Sequence, residues 1–343
     1  MSESIISTAE LRDTVRGVLS VESASKKLRA ALDGPGSLRE ALWPTVADLG
    51  WAALAIPEEH GGMGLGSAEL AVVFEELGRY LTPVPFLSTM LFARAVAAAG
   101  TPDQRAALLP KVAAGELIGA ISPPDQRPAL VLVADGDRIR LRGTAAAVLD
   151  ADAADAILVL AEDQRRRRML VLVQPSDGVA ARHRPTFDRT RRLCDLAFDD
   201  LALPADRILG GGVLDPVVEG ELLSFAALAM ACDSIAGAAH ILEQTVEYMK
   251  TRQQFGRVIG SFQQMKARAA NLKTLLEAAS ALTRQAVSQH ATGAADRDLW
   301  CSNAKYMACD AYKRIAEDAV QLHGGIGFTW EHDCHLFLKR ARL

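Results

Sequence analysis

Residues 248–268 read YMKTRQQFGRVIGSFQQMKAR, and set an arginine, a Phe-Gly pair and glutamines around a break between two long helical patterns. Arg252 offers a guanidinium suited to bidentate contact with phosphate oxygens. Phe255 is a ring able to pack on another flat ring, and Gln263 both donates and accepts hydrogen bonds. Gly256 and Gly260 free the joint from Cβ constraints. The helix predicted to start at Ser261, where Ser261 and Gln264 make a capping-box pattern, would present unpaired N–H groups and a positive dipole end. A second stretch, QLHGGIGFTWEHD at 321–333, stops a helix at Gly324, and Gly325 lets a ligand approach the backbone. On chemistry alone each stretch is equally an ordinary feature, a helix hairpin with a solvated arginine or a glycine C-cap. His323 reads as structural. Five scattered cysteines show no metal-ligand spacing to histidine, and Cys334–His335 is an isolated neighbour pair, so reduced thiols and no metal site are expected.

Three kinds of segment must position these residues. Up to about residue 118 the chain is helical in pattern, with Leu11, Val15, Val18 and Leu19 on one face and Leu70, Val73, Phe74 and Leu77 on another. Ser67 after a glycine-rich break, and Thr101 before Pro102, are candidate helix caps. From 119 to 212 short β-rich runs appear at 129–134, 137–143, 156–161, 168–174 and 194–203, with a hairpin signal at Asp135-Gly136. No strand–Gly-x-Gly–helix unit occurs. From 213 to 343 the pattern is helical again, and Ile241, Leu242, Thr245, Val246 and Met249 form one stripe. The expected class is α+β: an N-terminal helical domain (1–118), a small antiparallel β domain (119–212) and a C-terminal four-helix bundle (213–343).

The 343 residues are half hydrophobic and 23% charged, with a net charge of −4. That balance favours neither nucleic acid nor an anionic membrane as a partner. The apolar run at 222–232 is too short to span a bilayer, and the first residues show no secretory pattern, so a cytoplasmic protein is expected. The RRRR run at 165–168 reads as a solvated hairpin loop, with contact to ligand phosphates as the minor option. Trp43, Trp51, Trp300 and Trp330 read as core or interface residues.

TRQQFG-RVIGSFQ followed by QLHGGIGFTWEH resembles the acyl-CoA dehydrogenase family. The likeness covers nearly the whole chain: LWPTVADLGWAALAIPEEHGGMGLG, VFEELGRYLTPVPFL, LLPKVAAGELIGAIS and FDDLALPADRILGGG follow in the family's order. The resemblance implies FAD, an acyl-CoA substrate oxidised to the trans-2-enoyl-CoA, and an electron-transfer flavoprotein or similar acceptor. It also implies that Arg252, Gln254, Phe255 and Gln263, with Gln321, Gly324 and Gly325, reach the FAD of a neighbouring subunit. Ser122 stands where the family's β domain offers a threonine hydroxyl to its own flavin.

The chain departs from the family at two places. The flavin-holding turn of the β domain reads AISPPDQRPAL, with Arg127 and Pro128 where small residues stand, and RGTAAAVLDADAADAILV lacks the family's tryptophan. In most members the count to the catalytic carboxylate runs here past Leu343. Other members carry the base on the first bundle helix, at a position matching Ala226. Glu219 and Glu221 lie near it in sequence, and Asp333 is a more remote candidate. The expectation is a subunit that completes an FAD site shared with a catalytic partner chain, as in the heteromeric dehydrogenases of actinobacterial steroid degradation. The alternatives are a self-sufficient homo-oligomeric dehydrogenase and a CoA-thioester binding protein without redox activity.

Overall fold

The structure, a computed structural model, describes residues 7–33, 42–123 and 129–343. Arg127 and Pro128 lie outside them. Helices α1 (Thr8–Glu22), α2 (Ser25–Asp33), α3 (Trp43–Asp48), α4 (Ser67–Arg79), α5 (Phe86–Ala99) and α6 (Pro102–Ala113) come first. Strands β1 (Gly119–Ile121), β2 (Ala129–Asp135), β3 (Arg138–Leu149), β4 (Ala156–Glu162), β5 (Arg168–Val173), β6 (Ala181–Arg184) and β7 (Leu193–Pro204) follow. The rest is helix α7 (Pro216–Thr251), the short strands β8 (Gln253–Gln254) and β9 (Arg257–Val258), and helices α8 (Gln263–Ala291), α9 (Arg297–His323), α10 (Gly325–Phe328) and α11 (Cys334–Ala341). The α+β class read from sequence is the class observed.

By their contacts these elements group into two compact units. One takes the described parts of Met1–Asp33 with Ser67–Thr82 and Ala227–Leu343; the other takes those of Gly34–Gly66 and Pro83–Ala226.

In the helical unit, Ser7 and Glu10 close a capping box on α1, and Leu11, Val15 and Leu19 are buried. Each such side chain contributes about 1.5–3 kcal/mol on burial. Arg12 and Arg16 on the same helix hold Glu76, buried on α4, at 3.0 and 2.8 Å. Ser67 does not cap α4 from outside as expected. It is the helix's first residue, and its hydroxyl meets His290 Nδ1 at 2.8 Å. A Cβ on Gly78 would stand 2.3 Å from the Asp233 carbonyl oxygen, so only glycine lets α4 cross α7 this closely. Ile241, Leu242 and Met249 of the predicted stripe join Leu276, Tyr312, Ile315 and Phe337 in the bundle core.

In the other unit the described strands form one sheet in the order β1-β4-β2-β3-β7-β6, with β5 on β4. The pairing is mostly antiparallel, and the Asp135-Gly136 hairpin joins β2 to β3 with Asp135 opposite Arg138. Two pairings, β1 with β4 and β2 with β4, are parallel. The short strands β1 and β6 carry too little alternation to be read from sequence. Thr101 caps α6 as expected, closing a capping box with Gln104. Gln104 also donates to the carbonyls of Asp206 and Ile208, tying the helix to the segment that leaves β7.

Helix α7 is longer than the apolar run 222–232 suggested. Among the described residues it is the one helix long and apolar enough to cross a bilayer by length and composition, and 67% of its most apolar window is buried inside the protein.

Candidate functional site

The joint between α7 and α8 is a tight β-hairpin where the sequence suggested only a helix break. Gln253 pairs with Val258 and Gln254 with Arg257, which leaves Phe255 and Gly256 as the two turn residues. Both have positive φ, 55° and 77°, as a two-residue turn matched to strand twist requires. For phenylalanine that conformation costs roughly 1–2 kcal/mol. The ring gains little burial in return: Phe255 is 92% exposed, and it meets Phe262 edge-on with centroids 6.3 Å apart. An exposed aromatic side chain held in a strained turn points to a functional demand rather than a packing one.

Arg252 sits at the base of this hairpin. Its carbonyl accepts the Ile259 N–H at 2.8 Å, and its exposed side chain has no ion pair among the described residues. Helix α8 begins at Gln263 with Phe262 as its N-cap. The predicted Ser261–Gln264 capping box does not form, because Ser261 belongs to the preceding 3-10 turn and donates its hydroxyl to the Val258 carbonyl at 2.7 Å.

At the other wall, α9 ends on His323, and Gly324 adopts φ 65° and ψ −142°, a region open essentially to glycine alone. A Cβ on Gly324 or Gly325 would meet nothing within 4 Å, so the backbone here faces open space. The two walls enclose a groove of about 530 Å³ that brings together Arg252, Gln254, Phe255, Gln321, Gly324 and Gly325. Arg268 also lines it, paired with Asp318. The lining contains no carboxylate among the described residues, and Arg252 is left as its unpaired cation. His323, itself mostly buried, is also part of the lining and is stacked on Tyr248 with centroids 4.5 Å apart. Burial pushes its pKa below the ordinary histidine value, and Nδ1 lies 2.8 Å from the Ala319 carbonyl.

Two of the expected residues lie elsewhere. Gln263 is exposed on the first turn of α8, and its neighbour Gln264 lines the groove instead. Ser122 is buried in the sheet unit, where its Oγ accepts the Leu160 N–H at 2.7 Å and its own N–H donates to Leu158. That hydroxyl serves strand pairing. In the stretch without tryptophan, Ala147 and Asp150 both take positive φ. Asp150 is buried and accepts the Ser88 hydroxyl at 2.8 Å.

The acidic candidates for proton abstraction are all engaged. Glu219 is ion-paired with Arg168. Glu221 is held by Arg94 at 2.8 Å, and the same guanidinium lies over the Phe225 ring. Asp333 is gripped by Arg29 at 2.6 Å. A carboxylate held by a guanidinium is a poor proton acceptor. Between Glu221 and the end of α7, position 226 is alanine and its neighbours Ser224, Phe225 and Ala227 carry no base.

Sequence reasoning named Arg252, Gln254, Phe255, Gln321, Gly324 and Gly325 of this lining and missed, among others, Tyr248, Phe262 and Arg268. Tyr248 lies four residues before Arg252 and Arg268 four after Gln264, a signal available from i±4 spacing.

Comparison with known proteins bears on this arrangement. A model of the acyl-CoA dehydrogenase N-terminal domain matches residues 7–116, and one of the acyl-CoA dehydrogenase C-terminal domain matches residues 217–343. The chain is 36% identical to the acyl-CoA dehydrogenase IpdE2 of Mycobacterium tuberculosis over 96% of its own length and 89% of the relative's. Among solved structures it is similar to the Tcur3481-Tcur3483 steroid ACAD G363A variant, at TM-score 0.87 and 30% identity, covering 98% of this chain and 91% of that one. It is also similar to a chain of the ChsE4-ChsE5 complex from Mycobacterium tuberculosis, at TM-score 0.89 and 26% identity, covering 100% and 92%. With both domain models matched and a relative of this identity spanning nearly its whole length, the chain belongs to the acyl-CoA dehydrogenase family of FAD-dependent oxidoreductases.

Proposed function

We propose that this chain is the cofactor-completing subunit of a heteromeric acyl-CoA dehydrogenase, lending the groove at 252–268 and 321–325 to an FAD shared with a catalytic partner chain of the same family. The carrying observation is an asymmetry within the chain. The groove is open, cationic and edged by an exposed, strained Phe255, while each acidic candidate for the base is held by an arginine.

The residues present fit one part of a flavin dinucleotide. Arg252 supplies a guanidinium for phosphate oxygens. Gly324 and Gly325 leave room for a close approach to the backbone, and Gln254 and Gln321 offer amides that donate and accept. Phe255 presents a flat apolar face. When bound, FAD supplies acceptance of the β-hydride of the acyl thioester, concerted with removal of the α-proton by a carboxylate. In this reading the carboxylate belongs to the partner, and this chain's residues bind and orient.

Support for a hetero-oligomer comes from the two solved relatives above, Tcur3481-Tcur3483 and the ChsE4-ChsE5 complex, each named for two components. One is described as a steroid dehydrogenase, and a steroid-sized acyl-CoA is the substrate class we assign. An electron-transfer flavoprotein or similar carrier is the acceptor.

The test is to purify the chain alone and after co-expression with a family member that has an intact flavin turn and a carboxylate base. The reading predicts a colourless, inactive chain alone and a yellow, active complex. A yellow, active homo-oligomer would overturn it.

A further inference from the structure

Three side chains whose sequence spacing suggested nothing converge where α9 ends and α11 begins. His323, His332 and Cys334 each bring a ligand atom within 4.8 Å of the other two. The Cys334 sulfur lies 3.3 Å from His323 Nδ1, and the two imidazole rings have centroids 4.4 Å apart. Cys334 is fully buried and His323 is 3% exposed.

Each ring already makes a hydrogen bond that decides which nitrogen an ion could take. His323 Nδ1–H donates to the Ala319 carbonyl at 2.8 Å, which keeps a lone pair on Nε2. That nitrogen is buried without a hydrogen-bond partner among the described residues. A backbone carbonyl holding one ring N–H orients an imidazole for ligation through its other nitrogen, so binding at Nε2 requires the Cys334 sulfur to move towards that atom from its place 3.3 Å from Nδ1. His332 already presents a lone pair at Nδ1, accepting the Cys334 N–H at 3.1 Å.

One of the three side chains also faces a hollow. His332 is half-buried and lines a hollow of about 400 Å³ that also presents Glu243, Glu247, Glu331 and Asp333. Arg79, Lys250 and Arg29 pair with three of these carboxylates; the exposed Glu331 adds a further negative charge. Such a hollow favours a cation over an anion.

We propose that His323, His332 and Cys334 form a site for one thiophilic divalent transition-metal ion of the zinc class, with water from the hollow as fourth ligand. Imidazole and thiolate together select such an ion over magnesium or calcium. On binding, a metal–sulfur bond forms as the Cys334 S–H breaks and its proton leaves to solvent, and the metal's charge stabilises the thiolate in its buried setting. Tetrahedral ligation draws the three atoms to roughly 3.5 Å from one another. The half-buried His332, in the turn between α10 and α11, supplies that movement and exchanges its contact with the Cys334 N–H for the metal. The ion would clip the turn after Gly325 to the end of α9. None of the three ligands is assigned to the cofactor, but His323 also lines the groove proposed for it.

The test is titration of the full chain, stripped with a chelator, with Co2+. One ion per chain and a sulfur-to-cobalt charge-transfer band in the near ultraviolet are expected. C334S should abolish the band and weaken binding at least tenfold, while C309S, at the half-exposed cysteine, should leave both intact. Should C334S fail to fold, H332Q serves, and it should weaken binding at least tenfold. Absence of stoichiometric binding, a band that survives in C334S, or unchanged affinity in H332Q would overturn the proposal.

Discussion

Ile259 donates its backbone N–H to the carbonyl of Arg252 over 2.8 Å, and that bond closes the loop on which Phe255 is held out to solvent. The last turn of α7 and the approach to α8 are thereby joined through a hairpin, so Arg252 and Phe255 share one rigid support. Fixing a cationic group and an aromatic face at set spacing lowers the ordering that binding requires.

Arg252 is exposed and has no ion pair among the described residues, so its removal should leave the fold intact. R252A should change the thermal stability of the chain by less than about 0.5 kcal/mol. In the co-expressed complex the same change should weaken flavin retention at least tenfold, the effect of about 1.5–3 kcal/mol lost with one charged hydrogen-bonding group. Thermal denaturation and the flavin-to-protein ratio after dialysis read the two effects separately.

Phe255 should behave in the opposite way. Asparagine adopts positive φ far more readily than phenylalanine, and an Asn-Gly pair suits this turn. F255N should therefore stabilise the isolated chain by about 0.5–1 kcal/mol, the relief of left-handed strain less the lost contact with Phe262. It should also weaken flavin retention in the complex. Destabilisation of the isolated chain would show that the ring is a packing residue.

Part of this groove was legible in the residues themselves. Arg252 and the glycine pair each have a distinct chemistry beside a helix break, whereas Gln254 and Gln321 were named only through the family resemblance. The hairpin was not legible: strands of two residues have no alternation to detect, and its turn carries phenylalanine where asparagine or aspartate would have announced it. The cap at Thr101 was readable because Pro102 follows at the first helical position, while the pattern at Ser261 misled because a 3-10 turn claimed that hydroxyl first. The pairing of Glu219 with Arg168 joins residues far apart in the chain, and nothing local to either could have signalled it.

That pairing supports a further expectation. E219Q and E221Q should each leave the activity of the assembled complex within about twofold of wild type, whereas loss of a true general base lowers rates by about 10²–10⁴. A loss of that size in either variant, with flavin content unchanged, would move the base onto this chain.

Acid should destabilise the helical unit through His240. Burial, aided by the nearby Arg79 guanidinium, pushes its pKa down to about 4, while the unfolded chain titrates near the ordinary value of about 6.5. Between those values the unfolded state binds the extra proton, so stability rises with pH. The contribution is fully present above about pH 6.5 and is lost as pH falls towards 4, at most on the order of 3 kcal/mol. Denaturant unfolding across this window should show the slope, and H240Q should flatten it. His335, also held down to about 4, chiefly by burial, adds a second component in the same direction.

The most direct test of the shared-cofactor reading is the flavin absorbance of the purified chain, alone and with its co-expressed partner. The account predicts no bound flavin in the chain alone and about one FAD per pair of unlike chains in the complex. Stoichiometric flavin in the chain alone, with dehydrogenase activity to match, would contradict it.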